Sequence, residues 1–201
     1  MNLLTTIYAT YKNLTIVFWK FYNLKILKIK GAHCGSNVNI YKKVYFQIKK
    51  GDLYIGDNYT MTSGDCINPL CRNIRACIFI SNGGIIKIGN NVGMSSPCLW
   101  IRESLTIGNN VKIGGNCIIM DNDVHQLDYA ERRADKGMVC SSPVVIENDA
   151  WLGANVIVLK GVTIGARSII GAGSVVTKDI PADCIAAGNP CKIIKRFFSN
   201  E

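Results

Sequence analysis

Residues 146–176 read IENDAWLGANVIVLKGVTIGARSIIGAGSVV and place an aliphatic side chain at every sixth position: Ile146, Leu152, Val158, Ile164, Ile170 and Val176. Four residues after each of the first five stands a small or aliphatic one: Ala150, Val156, Val162, Ser168 and Ser174. A helix repeats near 3.6 residues and a strand at 2, so neither yields a period of six. A coil of three short flat strands does, because each strand with its turn uses six residues and a full coil about eighteen. The stretch therefore predicts an all-β stack of parallel three-sided coils.

Working outward, Ile55-Gly-Asp-Asn-Tyr59 and Ile88-Gly-Asn-Asn-Val92 are further repeat units, continued by Met61 and Ile67 and by Met94. Val38, Ile40 and Val44 look like early coil positions. After a one-residue slip near Trp100, Ile107, Ile113 and Ile119 carry the repeat on. Gly-Asn and Asn-Asn pairs fall at the corners, where tight turns need positive φ. Residues 69–84 fit the repeat poorly and are expected to bulge out. The larger break lies between Ile119 and Ile146, 27 residues apart, which reads as nine more than one coil. That segment is polar, and long excursions from a regular scaffold tend to carry function.

Residues 3–22 place Leu3, Leu4, Ile7, Tyr8, Tyr11, Leu14, Phe18, Phe21 and Tyr22 at three- and four-residue steps. This predicts an amphipathic helix that packs on the coil or on a neighbouring subunit, and whose basic, aromatic character also permits it to lie on a membrane surface. From Leu24 to Ile29 the pattern turns to alternation, where a degenerate repeat is expected to begin. The expected organisation is a basic N-terminal segment (1–30), a β-helix domain (31–196) with an excursion loop at about 120–145, and a tail (197–201). Ile180-Pro181 ends the coil, and Cys184–Phe198 is a closing segment with a basic end.

The chain has 201 residues, 48% hydrophobic and 18% charged, which suits one folded domain and not a disordered chain. The net charge of +9 is uneven. Residues 1–51 hold nine lysines and no acid, whereas residues 52–201 balance 14 basic against 14 acidic side chains. The basic quarter is either a solvated face or a surface for an anionic partner, such as a membrane or a charged glycan. Nothing points to nucleic acid. No apolar run is long enough to span a bilayer, and no signal peptide is expected. The nine cysteines are odd in number and contain no C-x-x-C pair, so they read as reduced thiols of a cytoplasmic protein. Cys98 and Cys117 follow Met94 and Ile113 by four residues, positions that point into the coil.

Only two histidines occur, His33 and His125, too few for a three-histidine metal site, so no metal is expected. His33 reads as a corner or surface residue. His125 lies in the excursion, just after Asp121 and Asp123. An imidazole oriented by a carboxylate or carbonyl can take a proton from a hydroxyl; the bland alternative is an exposed loop histidine. Trp151 should point outward, as subunit packing or as a flat wall for a ligand. Lys178, Lys192, Lys195 and Arg196 could pair with phosphates, or form a solvated basic face.

Residues 121–133, 144–165, 170–181 and 187–195 together resemble the hexapeptide-repeat O-acetyltransferases, a group that includes galactoside, maltose and surface-polysaccharide acetyltransferases. The likeness covers about residues 85–196. It implies a left-handed parallel β-helix, a homotrimer with sites between subunits, and acetyl-CoA lying along the C-terminal coils. By match to the family pattern, Trp151, Ala154, Ala172, Thr177, Lys178, Lys192 and Lys195 fall at CoA contacts. His125 is the general base, with Asp123 beside it. One departure stands out: many sugar acetyltransferases of this group carry Asn where Ser95 follows Met94. Ser95 and Glu103 are the candidate acceptor contacts. The resemblance implies O-acetylation of a sugar or surface glycan, with the basic segment allowing contact with the inner face of the membrane. Rival readings are a different acceptor (a nucleotide-sugar amine, a xenobiotic hydroxyl or serine) and a non-catalytic coil used as a scaffold.

Overall fold

The computed structural model describes the backbone of residues 3–197 and the side chains of Tyr11 and of residues 14–197. The apolar positions Leu3, Leu4, Ile7 and Tyr8, and the tail beyond Phe197, lie outside these described side chains. The chain winds as a left-handed parallel β-helix with three flat faces. The first face stacks six strands from His33–Cys34 to Thr163–Ile164. The second stacks eight, from Asn39–Tyr41 to Lys192–Arg196. The third stacks six, from Tyr45–Ile48 to Val175–Val176. All pairs are parallel except the last, Cys184–Ala187 against Lys192–Arg196.

The six-residue period is the register of this stack. Ile55, Ile88, Ile107, Ile146 and Ile164 pair in turn on the first face. Met61, Met94, Ile113, Leu152 and Ile170 form the second column, and Phe46, Ile78, Leu99, Ile119, Val158 and Val176 the third. All of these side chains are buried. The four-residue offsets are buried as well, with Ser168 and Ser174 satisfied by Pro181 O at 2.6 Å and Gly171 O at 2.6 Å.

At the corner between the first and second faces, each coil places one residue at positive φ: Arg167 and Asp183 in the last two, and before them Asn37, Asn58, Asn91, Asn110 and Asp149. The side chains of the earlier set form a ladder. Asn37 donates to Asn58 (2.9 Å), Asn58 to Asn91 (3.1 Å), Asn91 to Asn110 (3.0 Å) and Asn110 to Asp149 (3.0 Å). An amide can both accept from the coil on one side and donate to the coil on the other; a carboxylate only accepts, so Asp149 ends the run. The glycines beside the ladder leave room for a second set of side chains, Asn90, Asn109 and Asn148, whose oxygens accept from backbone N–H groups of the preceding coil. A Cβ built on Gly108 would stand 2.5 Å from Asn148 Oδ1.

The structure corrects several expectations. The N-terminal helix α1 runs Leu3–Ile29, so Leu24–Ile29 is helix and not the start of the coil. Asn23 and Leu27 are buried one helical turn apart, and Gly31 at φ +76° ends the helix, with Ala32 N donating to Leu27 O (3.0 Å) and Gly31 N to Lys28 O (3.1 Å). The early bulge lies between Thr62 and Cys77, not at 69–84, because Cys77–Ile80 and Ile85–Ile88 are strands with alternate residues buried. Ile67 falls in this bulge and is 40% exposed. Cys117 points inward as expected, and burial pushes its thiol up to about 11. Cys98 does not. The slip near Trp100 turns it to the outer face, paired in register with Cys77, whose thiol hydrogen bond holds Cys98 below the usual thiol range.

The excursion is longer than the spacing suggested. Ile107 pairs with Ile146, 39 residues on, which is 21 more than the 18 between the paired Ile146 and Ile164. Ile119 pairs with Val158, so Ile119 and Ile146 stand on adjacent faces of the coil. The whole excess leaves and re-joins at the corner between the third and first faces.

Truncating an inward column residue, as in Ile164→Ala, is expected to cost about 2–5 kcal/mol. The outward neighbour change Thr163→Ala should cost under about 1 kcal/mol, and Gly108→Ala about 1–3 kcal/mol through overpacking against Asn148. Chemical denaturation of the three variants checks the order.

Candidate functional site

The loop carrying His125 is built on two buried polar residues. Asp121 is fully buried, and its carboxylate accepts from the backbone N–H of Arg102 (2.9 Å) and of Glu103 (2.6 Å). Asn122 donates to Trp100 O (3.1 Å), and its side-chain oxygen accepts from Val124 N (3.0 Å). The return limb is tied to the outgoing one by Ser142 N to Asp121 O (2.8 Å) and Asp123 N to Cys140 O (3.0 Å). Between them, α2 (Tyr129–Ala134) is capped by Asp128, which accepts from Ala130 N (2.8 Å) and Glu131 N (2.9 Å).

The Asp123 carboxylate pairs with Lys160 Nζ at 2.6 Å, while its backbone carbonyl accepts from the backbone N–H of His125 at 2.7 Å. The hydrogen bond to Asp123 holds the Lys160 ammonium above its usual range. Between Asp123 and His125 stands Val124 at φ +67°. A β-branched residue is rarely found there, so the neighbouring contacts hold a backbone conformation that valine itself resists. His125 emerges from this turn exposed to solvent. Lys160 was not among the sequence candidates. It meets the loop only through the 39-residue offset between Asp121 and its own corner, which no local pattern reveals.

The predicted residues fall into two groups. Glu103, Asp123, His125, Thr177 and Lys178 stand at or beside the corner between the third and first faces; Lys178 is one coil beyond Lys160, since Val158 pairs with Val176. Ser95, Trp151, Ala154, Ala172, Lys192 and Lys195 belong to the second face and the corner that follows it. Trp151 is 52% exposed on the outer surface. The pairs Trp151–Ile169, Ile169–Ile185 and Ile185–Lys195 put it in register with Lys195 three strands away, about 14 Å at the usual strand spacing. Ala154 and Ala172 stack at the adjoining corner, where Gly173 N donates to Ala154 O (2.9 Å). A shallow groove of about 290 Å³ on the second face is lined by Thr60, Ser95, Lys112, Gly114 and Trp151 among others; His125 is not in its lining. Within one chain the third face thus separates the two groups. His33, exposed, stacks on Tyr54 at 4.8 Å and belongs to neither. Among the described residues no group of three His, Cys, Asp or Glu side chains is placed to hold a metal ion.

Residues 143–178 match the bacterial transferase hexapeptide family (six repeats). Over this stretch the chain is similar to the hexapeptide-repeat acyltransferases. Galactoside O-acetyltransferase of Escherichia coli is 39% identical over 121 residues, which cover 60% of this chain and 58% of that protein. The chain thus matches little more than half the length of this curated relative. Among solved structures, a galactoside acetyltransferase in complex with coenzyme A superposes with a TM-score of 0.55 at 30% identity, covering 83% of this chain and 65% of the other. A hexapeptide-repeat acetyltransferase from Vibrio cholerae gives a TM-score of 0.51 at 27% identity, covering 83% and 74%.

The Asp123–Lys160 pair should restrain the loop. Lys160→Ala is expected to raise amide hydrogen exchange across residues 121–143 about tenfold, as local opening becomes easier, with the coil strands unchanged. Because pairing raises the lysine above its ordinary value, the restraint is present below that value and lost as pH rises through the raised one. Exchange in the wild-type loop, corrected for its intrinsic pH dependence, should therefore increase only in strongly alkaline buffer.

Proposed function

We propose that this protein is an acetyl-CoA-dependent O-acetyltransferase acting on a hydroxyl of a sugar or glycan. The observation that carries the reading is the exposed imidazole of His125, presented by a braced turn at the main break in the coil, in a chain 30% identical to a galactoside acetyltransferase that binds coenzyme A. The residues suit an acyl-CoA. Trp151 offers an exposed flat wall for an extended arm, and Lys192 and Lys195 supply cations at the end of the same face for phosphate groups. When bound, the co-substrate supplies an activated thioester.

An alcohol is a weak nucleophile near neutrality. His125 takes the hydroxyl proton as the oxygen attacks the acetyl carbon, and returns it to the departing thiolate as the carbon–sulfur bond breaks. The ester bond is thereby made without an acyl-enzyme, and none of the nine cysteines takes part. Glu103, at the foot of the loop, and Ser95, on the grooved face, serve as acceptor contacts in this reading. The lysine-rich first quarter favours an anionic or lipid-linked acceptor over a neutral free sugar.

The separation of the His125 and Trp151 groups by one face of the coil supports a site shared between two chains of a closed threefold ring. In that arrangement the His125 corner of one chain faces the Trp151 face of its neighbour.

His125→Ala should lower acetyl transfer to a sugar acceptor by about 10²–10⁴-fold with CoA affinity unchanged, read by thiol release and calorimetry. Unchanged turnover would remove His125 as the base, and absence of CoA binding by the wild type would favour a scaffold. Co-refolding equal amounts of inactive His125→Ala and Trp151→Ala should restore activity at about a quarter of all sites, one in each mixed trimer. No recovery would place both residues in sites made by one chain.

A further inference from the structure

Helix α1 docks through one side only. Asn23 and Leu27 are buried against the first coil, with Asn23 Nδ2 donating to Ile40 O (3.2 Å) and Lys42 O (2.8 Å). The apolar stripe faces away from the coil, so of the surfaces that the sequence suggested for it the coil is not the one. Leu14 is 65% exposed, Phe18 57%, Phe21 73% and Ile29 70%, and Tyr11 and Tyr22 flank them. From Leu14 to Ile29 this face is about 22 Å long at the helical rise. Its aromatic part is already organised. Phe18 stacks on Tyr22 with ring centroids 6.0 Å apart, and Trp19 meets both edge-on at 5.2 and 5.3 Å. Lys25 lies within the face, and Lys28 at its edge, both exposed.

We propose that this face of α1 docks the protein on an anionic lipid bilayer, with the helix lying in the plane of the interface. Charge selects the partner. Residues 1–51 carry nine lysines and no acid, so a second copy meeting the same face would set lysine against lysine. A polyanion such as an acidic glycan would satisfy the lysines and leave the phenylalanines in water. A bilayer with acidic headgroups satisfies both, because rings and aliphatic chains enter the acyl boundary while lysines stay at headgroup level. No helix among the described residues is long and apolar enough to cross, which leaves the in-plane arrangement. The docking adds to the acyl-transfer reading and does not depend on it.

The test is flotation of the full chain with vesicles of phosphatidylcholine alone or mixed with phosphatidylglycerol, at low and high salt. The expected result is at least about tenfold stronger partition onto the phosphatidylglycerol vesicles, weakened by salt. Phe18→Ser with Phe21→Ser, and separately Lys25→Glu with Lys28→Glu, should each lower that partition about tenfold or more. Light scattering should show the chain number of both variants unchanged. Equal binding to both vesicle types, no binding to either, or full binding by the serine variant would overturn the proposal. So would a serine variant that changes the chain number while the wild type ignores vesicles, since the face would then be covered by another copy.

Discussion

Everything in this structure depends on coils closing after a fixed number of residues. A coil that closes in eighteen sets Ile146 beneath Ile164, Leu152 beneath Ile170 and Val158 beneath Val176, and lets each backbone carbonyl meet the amide of the next coil. The closure is made at the corners. There the chain must turn through a left-handed conformation, which asparagine, aspartate and glycine tolerate better than branched residues. The Asn37-to-Asp149 ladder then adds a hydrogen bond from one coil to the next at that same turn, so the residues that allow the corner also hold its register.

The same constraint decides where the chain can depart from regularity. An insertion within a face would shift the register and turn inward side chains outward. An insertion at a corner leaves both flanking strands paired. Both excursions obey this, the one after Thr62 and the one after Met120. Leaving the scaffold exposes polar backbone, and the second excursion compensates with Asp121, Asn122 and Asp128, whose side chains accept from or donate to main-chain groups of the coil and of the loop itself. Lys160 adds an ion pair from the next coil up. The result is a long polar loop whose one imidazole projects from a braced turn, and whose brace includes a valine in a conformation it does not favour.

The repeat from Ile146 to Val176, its three-sided winding and the outward position of Trp151 were all legible in the sequence, because burial at every sixth position leaves a direct trace in side-chain type. The presence of the excursion was legible for the same reason. Its true excess of 21 residues was not, since the next aliphatic after the break looks alike on any face, and only strand pairing shows which face Ile146 occupies. The orientation of Cys98 turned on a one-residue slip, and the extent of α1 on the docking of Asn23 and Leu27, neither of which is a local property.

The sequence by itself determined the kind of coil, the approximate place of its breaks and the residue types offered to a ligand, since these follow from periodicity and from the chemistry of each side chain. Only the tertiary structure decided which of those residues meet. It joined Asp123 to Lys160 across 37 positions, put Trp151 in register with Lys195, set the His125 and Trp151 groups on either side of one face, and turned the aromatic stripe of α1 away from the coil. The physical reason is that a coil converts sequence separation into stacking height and face. Two residues become neighbours when their separation matches whole coils plus whatever has been inserted between them, and the inserted length is set by pairing on the far side of the break.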